Sequence, residues 1–145
     1  MAGPVCMEIR EKRGLAYYAA AASLLGVDAG CLYFYLGTAP QQVAEARAAL
    51  EQLLADLAEH GMPAEALERS RATALAARLL SLQSGSKRCG GMAVNTLLGL
   101  GADYDDTVPD LLRAVTPESM AAFLRRTLSP AATRTWVTVT PEEGS

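Results

Sequence analysis

The sequence predicts an α+β fold, an antiparallel sheet covered on one face by several helices. Two β-prone runs near the start, "AYYAAAASLL" and "CLYFYLGT", flank the turn-rich spacer "GVDAG". A third, "TRTWVTVTP", lies near the other end. Between them, leucines and alanines recur at helical spacing over most of the chain. With 145 residues, half of them hydrophobic, the chain can bury one sizeable core without metal or disulfide support. One domain spanning residues 1–145 is expected.

The elements follow in order. Val5, Met7 and Ile9 among charges predict a short helix over 4–12, broken at Gly14. The two β-prone runs then predict a hairpin. Thr38 with Gln41 forms a capping-box pattern, and Val43, Ala46, Leu50, Leu53, Leu54 and Leu57 predict a long amphipathic helix stopped near Gly61. Pro63 opens a helix to about 83, with Leu67, Ala74, Leu75, Leu79 and Leu82 as its apolar side. "SGSKRCGG" is expected to interrupt the helical run, and another helix covers about 90–99. Thr107 with Pro109, and Thr116 with Pro117, mark two further helix starts, the second helix ending near Leu128. The closing run alternates Thr135, Val137 and Val139 against Arg134, Trp136 and Thr138, which predicts a strand.

Charge and cysteine content exclude several classes. Thirteen Lys and Arg against sixteen Asp and Glu give a net charge of -3, so no cationic surplus exists to hold a phosphate backbone, and nucleic acid is not expected as a partner. Cys6, Cys31 and Cys89 form no CxxC pair and are expected as reduced, buried thiols. Residues 10–29 imitate a secretory signal, a basic start running into an apolar stretch. Glu8 and Glu11 among the basic residues, and an apolar stretch made mostly of alanine, favour a strand instead. No other segment approaches the length of a membrane span, so no membrane partner and a cytoplasmic location are expected.

"EIREKRGLAY", residues 8–17, resembles a motif of the pitrilysin and insulin-degrading-enzyme family of zinc metallopeptidases, the inverzincins. Three further segments resemble that family in its order: "GCLYFYLGTAPQQVAEARAAL", "EHGMPAEALERSR" and "LLRAVTPESMAAFLRRTLSP". The resemblance implies a specific arrangement. Family members pair two related domains around a cleft; one carries His-x-x-Glu-His and a distant Glu for zinc, the other an Arg and a Tyr seven residues apart that face the substrate. This chain resembles the second type, with Arg10 and Tyr17 as the pair. The resemblance also implies that a strand and a helix precede Pro4 in a complete domain, so half of a two-layer domain is expected here, with an edge left for self-association.

Peptide cleavage places negative charge on the scissile carbonyl oxygen, and preorganised donors there lower the barrier. Arg10 would offer a permanent cation with directed N–H donors, and Tyr17 a neutral O–H donor. Two functions are compatible with this reading. Either the chain is the non-zinc domain of a zinc endopeptidase, inactive alone, with peptide and a zinc-bearing domain as partners, or it is an assembly module that kept the fold and lost proteolysis.

Other candidates are weaker. "DLAEH" at 56–60 is one residue away from His-x-x-Glu-His, and His60 is the only histidine. A site of that type needs two His one helical turn apart, so no catalytic zinc is expected in this chain. "DYDD" at 103–106 could draw a cation, but a solvated loop before a helix is the expectation.

Overall fold

A computed structural model of the chain describes residues 3–129 and 131–140. A wide, π-type helical segment, Cys6–Lys12, opens the fold. It is followed by a hairpin of β1, Tyr18–Leu25, and β2, Gly30–Gly37, antiparallel in the register Tyr18↔Gly37, Ala20↔Tyr35, Ala22↔Tyr33. A 3₁₀ turn at Pro40–Gln42 leads into α1, Val43–His60. Then come α2, Ala64–Leu82; α3, Gly85–Leu97; α4, Tyr104–Ala114; and α5, Pro117–Leu128.

The core sits between one face of the hairpin and two helices. Because side chains alternate along a strand, Ala19 of β1 and Phe34 and Leu36 of β2 face inward, where Ala19 is buried. Against them α1 turns Ala46, Ala49, Leu50, Leu54 and Ala58, a stripe at three- and four-residue intervals. The alanines let the neighbouring elements approach α1, and Leu124 and Leu128 of α5 close the core from another side. Val5, Ile9, Leu15 and Ala16 complete it, with Ile9 entirely enclosed. The hairpin and α1 are thus the rigid bed from which the opening segment and Tyr17 project.

The helices α2, α3 and α4 pack on one another as a second, thinner group. Leu67 is the one fully buried residue of α2, while Leu79, expected on its apolar side, is 62% exposed. A polar contact joins this group: Arg78 of α2 pairs with Asp105 of α4, which packs over Gly91 of α3. A Cβ at Gly91 would lie 2.5 Å from the Asp105 carboxylate, so a larger residue there would displace that side chain.

Several sequence expectations need correction. Thr38 does not cap α1; its hydroxyl donates instead to the Leu15 carbonyl at 2.6 Å, and α1 begins without a side-chain cap. The glycine-rich "SGSKRCGG" does not interrupt the helices for long, because Ser84 caps α3 by accepting from the Lys87 N–H. Helix α4 starts at Tyr104 and holds Pro109 in its interior, so Thr107 is not its cap. Cys31 and Cys89 are exposed, not buried. Residues 133–140 form no strand among the described residues. The predicted ends that do hold include Gly61 closing α1 at φ 76° and Thr116 opening α5, where the structure adds a capping box with Ser119.

Candidate functional site

The opening segment presents a row of charges on its outer face. Glu8 takes both Lys12 and Arg13 at 3.0 Å, and these two cations hold its carboxyl below the usual carboxylate range. Arg10 makes only a long contact with the neighbouring Glu11, 3.7 Å, between two half-exposed side chains. Such a contact contributes little. Among the described residues the Arg10 guanidinium is therefore the uncommitted cation of the three.

After Lys12 the chain reverses. Gly14 adopts φ +63°, a conformation that glycine takes at no steric cost. The Gly14 N–H donates to the Arg10 carbonyl at 3.1 Å and the Leu15 N–H to the Ile9 carbonyl at 3.0 Å. Leu15 and Ala16 then plunge into the core, and the Thr38 hydroxyl fixes the Leu15 carbonyl. Tyr17 emerges next, its N–H bound to the Gly37 carbonyl at 3.0 Å. Its backbone is pinned while its side chain stands 76% exposed.

The Tyr17 ring lies along Gly37. A Cβ there would come within 2.9 Å of the ring, so glycine is what lets the phenol rest against the strand end. Two shallow grooves meet at Tyr17. The smaller, about 280 Å³, is bordered by Gly14, Ala16, Thr38, Ala39 and Gln42; the larger, about 640 Å³, by Tyr18, Ala20, Ala22, Tyr33 and Tyr35. Arg10 borders neither groove and stands on the exposed face of the opening segment. The neutral Tyr17 hydroxyl can donate and accept a hydrogen bond, whereas the Arg10 guanidinium can only donate.

The residues do not fit a zinc ion. The single histidine, His60, closes α1, where its Nδ1 lies 3.2 Å from the Asp56 carbonyl. The Asp56 carboxylate itself accepts from the Gln52 amide at 2.7 Å. Among the described residues no three His, Cys, Asp or Glu side chains converge as a metal site requires. Asp105 of the "DYDD" run is engaged by Arg78, with the guanidinium foremost and the Asn95 amide second in holding its carboxyl below the usual range. Among the described residues no helix is long and apolar enough to cross a membrane.

The aromatic outer face of the hairpin escaped the sequence reading, although its signal was present. "CLYFYLG" is dense in aromatic residues, and once the register is known the alternation assigns Phe34 inward and Tyr33 and Tyr35 outward. What no pattern in the sequence announces is that Gly37 backs the Tyr17 ring.

Comparison with known proteins places this geometry in context. A family model described as "Peptidase M16 inactive domain" matches residues 1–74. The uncharacterised zinc protease YmxG of Bacillus subtilis (strain 168) is 28% identical over 127 residues, 87% of this chain and 31% of that protein. The chain thus spans about a third of the length of this curated relative. Among solved structures, the inactive peptidase domain of a Bordetella parapertussis protein described as a zinc protease superposes with a TM-score of 0.72 at 18% identity, covering 89% of this chain and 71% of that one. The periplasmic protease PqqL of Escherichia coli gives 0.66 at 13% identity, over 84% of this chain and 14% of that one. At these identities the structural likeness speaks for the fold.

Proposed function

Because this chain belongs to the family of inactive M16 peptidase domains, we propose that it forms the non-zinc wall of a zinc endopeptidase cleft, with Arg10 and Tyr17 as donors to the peptide carbonyl. The observation that carries this reading is Tyr17: a pinned backbone, an exposed phenol, and a position where two grooves meet. A side chain held so firmly at its root and so open at its tip is suited to meeting a ligand. Arg10, uncommitted beside two paired cations, fits the same role.

During cleavage the carbonyl oxygen of the peptide gains negative charge. The Tyr17 O–H would donate to it, and the Arg10 guanidinium would add a fixed positive charge nearby. Zinc would sit on the other wall, on a partner domain or chain, since among the described residues of this one no three His, Cys, Asp or Glu side chains converge. The chain alone is then inactive. Its free thiols at Cys6, Cys31 and Cys89 suit a reducing, cytoplasmic setting.

Self-association is part of the reading. Neither β1 nor β2 carries a charged residue or a proline, the usual guards of an exposed strand edge. Among the described residues their sheet has two strands only. A dimer at micromolar concentration is expected by sedimentation; a monomer there would overturn it.

The test of the catalytic role is a peptide-cleavage assay with the zinc-bearing partner present. Tyr17→Phe keeps the ring and removes one donor, and is expected to lower kcat by roughly 10²–10³. An unchanged rate would remove Tyr17 from the mechanism.

A further inference from the structure

On the outward face of the hairpin, four tyrosines surround two alanines. Ala20 lies directly opposite Tyr35 and Ala22 opposite Tyr33, so each ring has a methyl group where a larger cross-strand neighbour would cover it. Tyr18 meets Tyr35 edge to face, centroids 5.2 Å apart and planes at 74°, which props one ring upright. The result is a shallow, open slot of about 640 Å³ bordered by the four tyrosines and the two alanines.

We propose that this slot is a specificity subsite that takes one aromatic side chain of an extended peptide whose backbone passes Tyr17. The inference rests on the reading of Tyr17 given above and adds to it the chemistry of the substrate.

Two features select the occupant. None of the six lining residues is charged. A charged side chain seated there would lose water without gaining a partner of opposite charge, an unfavourable exchange, whereas an uncharged ring loses nothing and gains edge-to-face contacts with the tyrosines. The second feature is continuity. Tyr17 borders both this slot and the smaller groove beside Gly14, so a chain lying across Tyr17 runs from one into the other. Extended peptide advances about 3.3 Å per residue with side chains alternating. A side chain two residues from the carbonyl held at Tyr17, roughly 7 Å away, therefore reaches the slot on the same face.

The experiment titrates the peptides acetyl-Gly-Gly-X-Gly-Gly-amide, with X as Phe, Leu or Lys, into the full chain and follows the tyrosine ring resonances by NMR. The Phe peptide is expected to shift the Tyr33 and Tyr35 ring signals and to bind about fivefold tighter than the Leu peptide, the ratio an aromatic pair contributes beyond its area. Tyr33→Ser and Tyr35→Ser should each abolish that preference. Equal binding of the Phe and Leu peptides, preference for the Lys peptide, or absence of ring shifts in the wild type overturns the subsite. No cleavage enters this titration, so its failure is separate from failure of Tyr17→Phe to slow proteolysis.

Discussion

Gly37 offers a way to move the Tyr17 phenol without altering its chemistry. In Gly37→Ala the new methyl carbon would lie 2.9 Å from Cε2, 3.1 Å from Cζ and 3.3 Å from the hydroxyl of Tyr17. Ordinary carbon contacts are about 3.5–4.0 Å, so the ring must retreat by roughly 0.5–1 Å. It is free to do so, since the ring is largely exposed and only the backbone is held. The cost to stability is correspondingly small. Gly37 has no positive φ, and alanine at a compatible position stabilises by about 0.4–1 kcal/mol through the unfolded chain, which offsets the displaced ring. The melting temperature should therefore stay within about 3 °C of wild type. Function should not be spared, because a misplacement of about 1 Å in a positioned group can cost roughly 10²-fold in rate. The assay measures peptide cleavage in the presence of the zinc-bearing partner alongside thermal unfolding of the variant. A cleavage rate within twofold of wild type, with the fold intact, would refute the claim that the resting place of Tyr17 matters. A large fall in melting temperature would show instead that the glycine is needed for the strand end itself.

Two further predictions concern the frame around the site. Arg47 of α1 lies 4.4 Å over the ring of Trp136, the only tryptophan of the chain. Arg47→Ala should release that ring toward water, seen as a red shift of tryptophan emission with a stability loss of about 0.5–1 kcal/mol; unchanged emission would mean that the other core contacts of Trp136 hold it unaided. In the second helical group, the folded pKa of Asp105 is depressed, so its stabilisation is present above the unfolded value of about 3.9 and lost as pH falls through the lower folded value. The difference in melting temperature between wild type and Asp105→Asn should be full at pH 6 and close below about pH 4, and a gap that widens on acidification would contradict the assignment.

Much of the fold was legible because strong patterns were backed by local chemistry. The α1 stripe, the Gly61 stop and the Thr116 helix start each have a mechanism within a few residues, and each is present: of the predicted stripe Ala46, Leu50 and Leu54 are buried and Val43, Leu53 and Leu57 partly so, with Ala49 and Ala58 added by the structure. Two of the errors share another cause, competition from a partner far along the chain. Thr38 had a capping pattern beside it, but the Leu15 carbonyl, 23 residues back, claims its hydroxyl. The glycines of "SGSKRCGG" read as breakers, yet Gly91 lies within a helix against the Asp105 carboxylate. Of the candidate site, the proposed pair Arg10 and Tyr17 came from the resemblance of "EIREKRGLAY" to a family motif; the outer tyrosine face was not legible, since alternation alone cannot say which face of a strand will find a core.

The closing segment shows where such patterns stop. The predicted alternation of residues 133–140 holds only in part: Arg134 and Trp136 are half-buried and Thr135, Val137 and Val139 exposed, but Thr138, expected on the side of Arg134 and Trp136, is exposed too. Arg134 donates to the carbonyls of Leu128 and Ser129, and Trp136 rests on the core beneath Arg47. Two inward anchors are enough to hold the segment against the core. They are not enough to make it a strand, because a ladder needs a second backbone alongside, and among the described residues β1 and β2 pair only with each other. β-propensity measures how well side chains suit a pleated, half-buried surface and leaves open who supplies the neighbour. With a hairpin unguarded at its edges and a strand-like segment left without a ladder among the described residues, the fold carries backbone suited to pairing, which is the physical basis of the proposed self-association.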